Sequence, residues 1–516
     1  MRIHELIENL PCTFLNLRGE TISDKGAVQA LRDREITSIT DDSRKVEQGS
    51  LFFCIKGANS DGHDYAAMAI EKGAAALVVQ KSPDPEVMSG SWKEDGKDEP
   101  VILLTEDSRY AMAVMSAAFY GHPAKRMRII GVTGTKGKTT TTYMVRSILE
   151  AAGIRTGLVG TIETLFETEK GEVRIPSANT TPESIVLQRR FKEMADSGVE
   201  AVVMEVSSQA LMLHRTAGFV FDLGIFTNLS PDHIGPNEHT DFEDYLHCKS
   251  LLFQQCRTGI LNGDDPHCGA ILQGHTCAVE TFGLGQDNDL RAQNIRLIHT
   301  PGELGISFET DGLLHVRAHV PAPGRFSVYN ALCAIAVCRH FDVNENETRE
   351  ALRQVHVRGR IEMVKVSDDF TLMIDYAHNA MALGSLLHTL REYDPGRLVC
   401  VFGCGGNRSR ARRFEMGEVS GRLADLTVIT SDNPRFEEPM DIIADIETGI
   451  RPTGGAYVTV PDRKEAIRYA ITHGQPGDII VLAGKGHEDY QEIRGQKYHM
   501  DERELIREVL EESKEQ

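Results

Sequence analysis

Nowhere in the 516 residues is there an apolar run near the roughly 18–20 residues that a membrane helix needs, so no membrane span is expected. Positive charge is also short. The 56 Lys and Arg stand against 76 Asp and Glu, a formal net charge of −20. That balance excludes general nucleic-acid binding, which needs a basic surface, while local Arg and Lys clusters could still receive an anionic substrate. The 10 cysteines form no CxxC pair and no zinc-type spacing, which points to reduced, scattered thiols and a cytoplasmic protein. The start, MRIHELIENL, reads as a charged amphipathic helix and not as a secretory signal. Low-complexity tracts and short-period repeats are absent as well.

What is present is an ordinary globular balance, 41% hydrophobic and 26% charged, in a chain long enough for several domains. Three parts are expected, with boundaries at 1–125, 126–352 and 353–516. The first has short strands (36–39, 50–55, 75–79 and 101–104) and a polar stretch, Lys81–Pro100, that reads as a loop insertion. The second alternates strands (156–162, 201–206, 223–227, 259–261) with helices (139–152, 182–197, 242–256). The third repeats that logic, with strands 371–374, 397–402, 426–430 and 479–482 and helices from about 380, at 415–424 and at 439–449. Such alternation predicts α/β domains with parallel sheets covered on both faces, whose ligands bind at the carboxyl ends of the strands.

The sharpest local signal is Gly131-Val-Thr-Gly134-Thr135-Lys136-Gly137-Lys138-Thr139-Thr140, preceded by the apolar Ile129-Ile130. A buried strand, a glycine-rich turn and a helix start build a phosphate cradle. Backbone N–H groups approach the anion and the helix N-terminus adds its dipole. Lys138 can reach the β/γ-phosphates and the Thr139 hydroxyl can hold Mg²⁺. The strict P-loop spacing would need Gly where Val132 stands, and a bare glycine turn is the alternative.

Other polar clusters end the predicted strands. Glu205-Val-Ser207-Ser208 could supply a metal-binding carboxylate or a salt-bridged strand end. Thr227-Asn228-Leu-Ser-Pro-Asp-His233 offers Asn228 and His233 to the same cleft, or a structural His. Lys249 sits among apolar neighbours on the helix, where periodicity alone favours a snorkelling side chain. Asp375-Tyr-Ala-His378, Gly403-Cys-Gly-Gly-Asn-Arg408, Asp432-Asn433-Pro434-Arg435 and Gly484-Lys-Gly-His-Glu488 end four strands of the third part. Four polar loops on one rim, two of them glycine-containing, form a site.

Taken together, these motifs resemble the Mur ligases of bacterial cell-wall synthesis. The likeness runs through the ATP loop Gly134–Thr140, Asn179-Thr180-Thr181-Pro182, Glu205-Val-Ser-Ser208, Thr227-Asn-Leu-Ser230 with Asp232-His233, Arg358-Gly-Arg360, Asp375-Tyr-Ala-His378 and Asp432-Asn-Pro-Arg435, in the family's order. Asp42-Ser43-Arg44 and Gly57–Gly62 resemble its UDP-binding segment. The resemblance implies three domains: one for a UDP-sugar, a central P-loop-type ATPase, and a C-terminal Rossmann-like domain that brings an amino acid. It implies an ATP-dependent amide ligase that joins meso-2,6-diaminopimelate to UDP-N-acetylmuramoyl-L-alanyl-D-glutamate through an acyl phosphate, with L-lysine as the alternative amino acid.

The roles carried over are these. Gly134 to Thr140, Asn228, Arg360 and Asp375 would bind ATP. Asp42, Ser43, Asn179, Thr180, Thr181, Ser207 and Arg215 would hold the UDP-muramoyl dipeptide. Arg408, Asp432, Asn433, Pro434, Arg435, Gly484 and Glu488 would hold diaminopimelate, with Glu488 on its distal ammonium. Thr139, Glu205, His233 and Lys249 would bind Mg²⁺. The family also revises Lys249, which there carries a CO₂-derived carbamate and becomes a metal-binding anion; Lys138, Lys249 and His233 are the catalytic set. The expected enzyme is monomeric, with small-molecule partners only. Leu213, Asn379, Asn407 and Pro236 depart from the commoner family residues. Folylpolyglutamate synthetase shares the ATP loop, but the first domain and the Asp432-Asn-Pro-Arg435 motif speak against it. Retention of Lys138, Thr139, Glu205 and Lys249 speaks against a catalytically silent binding subunit.

Overall fold

Apolar runs such as Ile129-Ile130 and Val202-Val203 become strands with no exposed face: all four side chains are fully buried. Parallel sheets covered on both sides require this. The computed structural model describes residues 1–58, 60–82, 84, 88, 91–92, 99–231, 234–235, 238–300 and 303–515. The chain divides into two units, Met1–Thr142 with Gly153–Thr281, and Tyr143–Ala152 with Phe282–Gln516.

In the first unit a five-stranded sheet has the order Thr13–Leu15, Val101–Leu104, Ala76–Val79, Ser50–Phe53, Ser38–Thr40. Its strands are parallel except Thr13–Leu15. The predicted strands are present: Val101–Leu104 as expected, Ser50–Phe53 and Ala76–Val79 shortened at one end, and Ser38–Thr40 shifted along the chain. Most of the Lys81–Pro100 stretch lies outside the described residues. A second sheet places Cys256–Asn262, Phe221–Phe226, Arg128–Thr133, Ala201–Glu205 and Thr156–Val159 side by side in parallel. The phosphate-loop strand Arg128–Thr133 is central among them, between Phe221–Phe226 and Ala201–Glu205. Helices Ser184–Asp196 and Phe242–Ser250 bury Leu187, Phe191, Met194 and Tyr245 in a core shared with Ile129, Val202 and Phe226.

Three expectations are corrected here. The strand predicted over 156–162 stops at Val159, and an antiparallel hairpin, Glu163–Thr168 with Gly171–Pro176, follows it. The helix predicted over 242–256 ends at Ser250. A 3-10 turn continues to Gln254, and Cys256 already pairs with Phe221 in the sheet. The basic, Pro-broken stretch 121–126, whose composition reads as a linker between the first two parts, is partly ordered, as a 3-10 turn over Pro123–Arg126.

In the second unit, strands Leu290–Thr300, Glu303–Gly312 and Arg317–Val320 form an antiparallel array. Its polar alternation drew no prediction. A six-stranded sheet has the order Glu362–Val364, Thr371–Asp375, Ile479–Ala483, Leu398–Phe402, Leu426–Ile429, Tyr457–Thr459. All pairs are parallel except the first. Tyr393 links array and sheet: its hydroxyl donates to Gly305 O at 2.9 Å and accepts from Gly324 N at 3.1 Å. The helix predicted over 415–424 begins at Arg410. Its charged first turn is stabilised by Arg410 and Arg413, both paired with Asp445 of helix Pro439–Ile450. A hairpin, Tyr490–Ile493 with Gln496–His499, and a terminal helix from Glu502 complete the unit.

Candidate active site

The loop between strand Arg128–Thr133 and helix Lys138–Ala151 is built for close approach. Gly134 has φ +142°, and a Cβ there would lie 2.0 Å from Thr227 Oγ1. The Thr227–Ser230 segment braces this loop. Lys136 N donates to Asn228 Oδ1 at 2.9 Å, Asn228 Nδ2 returns to Lys136 O at 3.0 Å, and Thr227 Oγ1 donates to Lys136 O at 2.7 Å. The Asn228 side-chain amide thus engages the loop backbone through both its oxygen and its nitrogen. Lys138 Nζ donates to Gly134 O at 2.8 Å and Thr135 O at 3.0 Å, which holds the cation over the loop.

The Glu205 carboxylate gathers hydroxyls rather than a salt bridge. It accepts from Thr139 Oγ1 at 3.0 Å, Thr161 N at 2.8 Å and Thr161 Oγ1 at 3.0 Å, and only 1% of Glu205 is exposed. Thr161 was missed; it follows a strand end and carries no motif. Grouped carboxylate and hydroxyl oxygens are the hard donors that magnesium prefers, so these residues fit the implied ion.

Lys249 does not snorkel. It is 2% exposed, its Nζ donates to Gly134 O at 3.0 Å, and it lies 4.5 Å from the Tyr245 ring centroid. Tyr245 OH bonds Thr135 Oγ1 at 3.1 Å, so two side chains of one helix reach the phosphate loop. His233 and Asp232 lie outside the described residues, as does Pro236.

Thr181 Oγ1 donates to Glu205 O at 2.9 Å and accepts from Ser207 N at 3.0 Å. Arg215 donates to Thr181 O at 3.0 Å and pairs with Glu183 at 2.6 Å. Thr180 Oγ1 meets Thr161 Oγ1 at 3.0 Å, while Asn179 is exposed. Thr180, Thr181, Ser207 and Arg215 thus share one cluster with the Glu205 carboxylate. In the amino-terminal sheet, Asp42 caps the turn Ser43–Lys45. The Arg44 guanidinium beside it holds its carboxyl well below the usual carboxylate range.

In the second unit, Asp375 accepts from Ile361 N at 2.9 Å and Ala377 N at 2.8 Å. Burial raises its pKa, opposed by the nearby Arg360 cation. Arg360 stacks 4.7 Å over Tyr376, which also meets the rings of His378 and His487. Burial, aided by Arg360, Arg358 and Arg503, pushes the His487 imidazole down to about 4, so it is neutral near pH 7.

The loops that end the strands of the six-stranded sheet converge. Gly406 sits where a Cβ would lie 1.9 Å from Pro434 O. Asn433 Nδ2 donates to Glu488 Oε2 at 2.9 Å. Lys485, fully buried, donates to Asn433 Oδ1 at 2.7 Å and Glu488 Oε2 at 3.2 Å. Glu488, expected to take a ligand ammonium, therefore already shares one oxygen with Lys485. Gly484 has φ +109° and places its α-carbon beside Asp432, with 3.1 Å from a Cβ to Oδ2. Arg408 is exposed on the same rim. Lys485 was missed despite a visible signal, a lysine between two glycines at a strand end.

Behind this rim lies the buried pair Arg463–Glu502, 2.7 Å apart. Arg463 also donates to Ala483 O at 3.1 Å and Ser431 O at 3.4 Å, the residues just before Gly484 and Asp432. Removing one partner of a buried pair strands the other charge. Glu502→Ala is expected to cost about 3 kcal/mol, read as a lowered urea midpoint, and an unchanged midpoint would refute this bracing role.

Residues 132–338 match the Mur ligase middle domain, 359–486 the Mur ligase glutamate ligase domain, and 35–120 the Mur ligase family catalytic domain. The chain belongs to the Mur ligase family. A relative from Bacillus licheniformis is 41% identical over 491 residues, 93% of this chain and 95% of its own, and is named UDP-N-acetylmuramoyl-L-alanyl-D-glutamate–2,6-diaminopimelate ligase. One of the same name from Geobacillus thermodenitrificans is 40% identical and spans 99% of this chain and 100% of its own. A solved structure of a ligase with that name is 26% identical with a TM-score of 0.69, covering 100% of this chain and 99% of its own. This Mur ligase thus has the three-domain α/β fold expected of it. Among its described residues no helix is long and apolar enough to cross a membrane.

Proposed function

We propose that this Mur ligase adds meso-2,6-diaminopimelate to UDP-N-acetylmuramoyl-L-alanyl-D-glutamate at the expense of ATP, making a peptidoglycan precursor in the cytoplasm. It works as a monomer on domains 1–125 for the UDP-sugar, 126–352 for ATP and 353–516 for the amino acid. The observation that carries this reading is the amino-acid rim, where Arg435 beside Glu492 and Lys485 beside Glu488 set opposite charges side by side. A zwitterionic carbon needs both signs within reach. The names of the relatives agree with it, and cell shape and division would depend on the product.

Amide formation from a free carboxylate is uphill in water, so the acid is activated first. The ATP γ-phosphoryl passes to the D-glutamyl side carboxylate, leaving ADP and an acyl phosphate. The amine attacks the acyl carbon and phosphate departs from the tetrahedral intermediate. Gly134 to Thr140 bind the phosphates, and Lys138 faces the charge in transfer. Arg360 and Asp375 hold the nucleotide, with Asn228 bracing the loop. Asp42, Ser43, Asn179, Thr180, Thr181, Ser207 and Arg215 orient the UDP-peptide, so that its carboxylate meets the phosphoryl group in a reactive geometry. Thr139, Glu205 and carbamoylated Lys249 would hold magnesium, and His233 a second ion. Bound there, the metal would neutralise charge on the phosphoryl oxygens.

Purified protein with the UDP-muramoyl dipeptide, ATP and a panel of amino acids tests the reading by product mass. The diaminopimelate adduct is expected to dominate; exclusive lysine addition, or ATP turnover without the dipeptide, would overturn it. meso-Diaminopimelate differs from lysine by one distal carboxylate, for which a bidentate Arg is the natural partner. Arg435→Ala is therefore expected to lower kcat/KM for diaminopimelate about 100-fold, some 2–3 kcal/mol, and that for lysine far less. A mutant that keeps its selectivity would show the pocket to be misread.

A further inference from the structure

We infer that Glu492 is a positioning residue that presents Arg435 to the amino acid and so sets the strength of selection for a distal carboxylate. The inference rests on the function proposed above. Arg435 carries the Asp432-Asn-Pro-Arg435 motif, and its backbone is left-handed at φ +52°. Hairpin Tyr490–Ile493 holds it there: Arg435 N donates to Glu492 O at 2.9 Å, and Arg494 N donates to Arg435 O at 2.7 Å. Glu492 N in turn donates to Asn433 Oδ1 at 2.9 Å. The hairpin is thereby laced to the motif through three hydrogen bonds.

The side chains repeat the arrangement. Arg435 Nε donates to Glu492 Oε2 at 3.1 Å, and Nη1 donates to Gly406 O at 2.7 Å. A guanidinium has five N–H donors in a rigid fork. Those two bonds fix its plane and leave three of the five donors. The second Nη1 hydrogen and both Nη2 hydrogens have no protein partner among the described residues, and one hydrogen on each of the two nitrogens suffices to receive a carboxylate bidentately. Both side chains are about one-fifth to one-quarter exposed, at 21% and 24%, so the pair borders solvent. Neighbouring groups are otherwise engaged. Asn407, a neutral residue, accepts from Phe436 N at 3.0 Å, and Glu437 is held by Arg413 at 2.8 Å. Glu492 is thus the acid paired with Arg435 among the described residues. Without it the long Arg435 side chain would regain rotamer freedom that binding must then remove.

The test is steady-state kinetics of wild type, Glu492→Ala and Glu492→Gln with meso-diaminopimelate and with L-lysine, alongside thermal melts. Gln keeps an acceptor oxygen for Nε–H and loses the charge. Glu492→Ala is expected to raise KM for diaminopimelate about 10-fold, with kcat and the KM for lysine within about twofold. Glu492→Gln is expected to recover most of the lost affinity. An unchanged KM in Glu492→Ala, an equal rise for both amino acids, or a Gln variant as impaired as Ala would each overturn the inference. A wild-type enzyme that fails to ligate diaminopimelate defeats the proposed function instead, and the two failures are thereby distinguished.

Discussion

Lys138→Ala is expected to lose about 1,000-fold in ligation rate, some 4 kcal/mol of transition-state stabilisation, while folding normally. The reasoning starts from the ground state. Lys138 Nζ donates to loop carbonyls at 2.8 and 3.0 Å, and water can replace it in those bonds on a partly exposed loop. Brace and cradle do not need it, because Thr227 and Asn228 hold the loop from the other side. In the reaction, negative charge is redistributed over the transferring phosphoryl, and a preoriented cation is worth far more there than in water. The measurement is single-turnover acyl transfer together with circular dichroism and a thermal melt. Near-normal turnover in a folded mutant would remove Lys138 from the mechanism.

Lys249→Ala is expected to fall by a comparable factor, about 1,000-fold, and to regain part of its activity with formate or acetate. Lys249 is almost wholly buried against the Tyr245 ring and Gly134 O, and an ion taken out of water needs local compensation. Reaction of its amine with CO₂ would turn a cation into a carboxylate. That is the sign a magnesium ion held by Thr139 and Glu205 would require. A small added acid can enter the space left by the deleted side chain and supply the missing oxygens. Rescue also reports on folding, since a misfolded mutant would not respond. Lys249→Arg keeps a cation but cannot form the carbamate, and it should be equally inactive. An active Lys249→Arg enzyme would refute the carbamate; so would a well-folded Lys249→Ala enzyme that no carboxylate revives.

The sequence by itself determined the parts with local causes. Val202-Val203 and Ile129-Ile130 read as buried parallel strands because a run apolar on both faces has no other stable place. The Gly134–Thr139 loop was legible because its glycines and helix start are contiguous. Four rim loops of the last domain were legible because each directly follows a strand. Helix ends and hairpins were not. Arg410–Glu415 is helical because Asp445, 35 residues on from Arg410, satisfies the charge, and no local pattern carries that information.

Only the tertiary structure decided what each polar residue faces. Helical periodicity put Lys249 on a snorkelling face, whereas packing against Tyr245 and the phosphate loop buries it. Asn228 turned out to brace the loop. Thr161, Lys485, Glu492 and Arg463 gained meaning only from partners 44, 52, 57 and 39 residues away, which are Glu205, Asn433, Arg435 and Glu502. The physical reason is common to all. Hydrophobic periodicity follows from the few residues of one helical turn or one strand pleat, whereas a hydrogen-bond partner is chosen by whichever strand end the sheet order brings alongside.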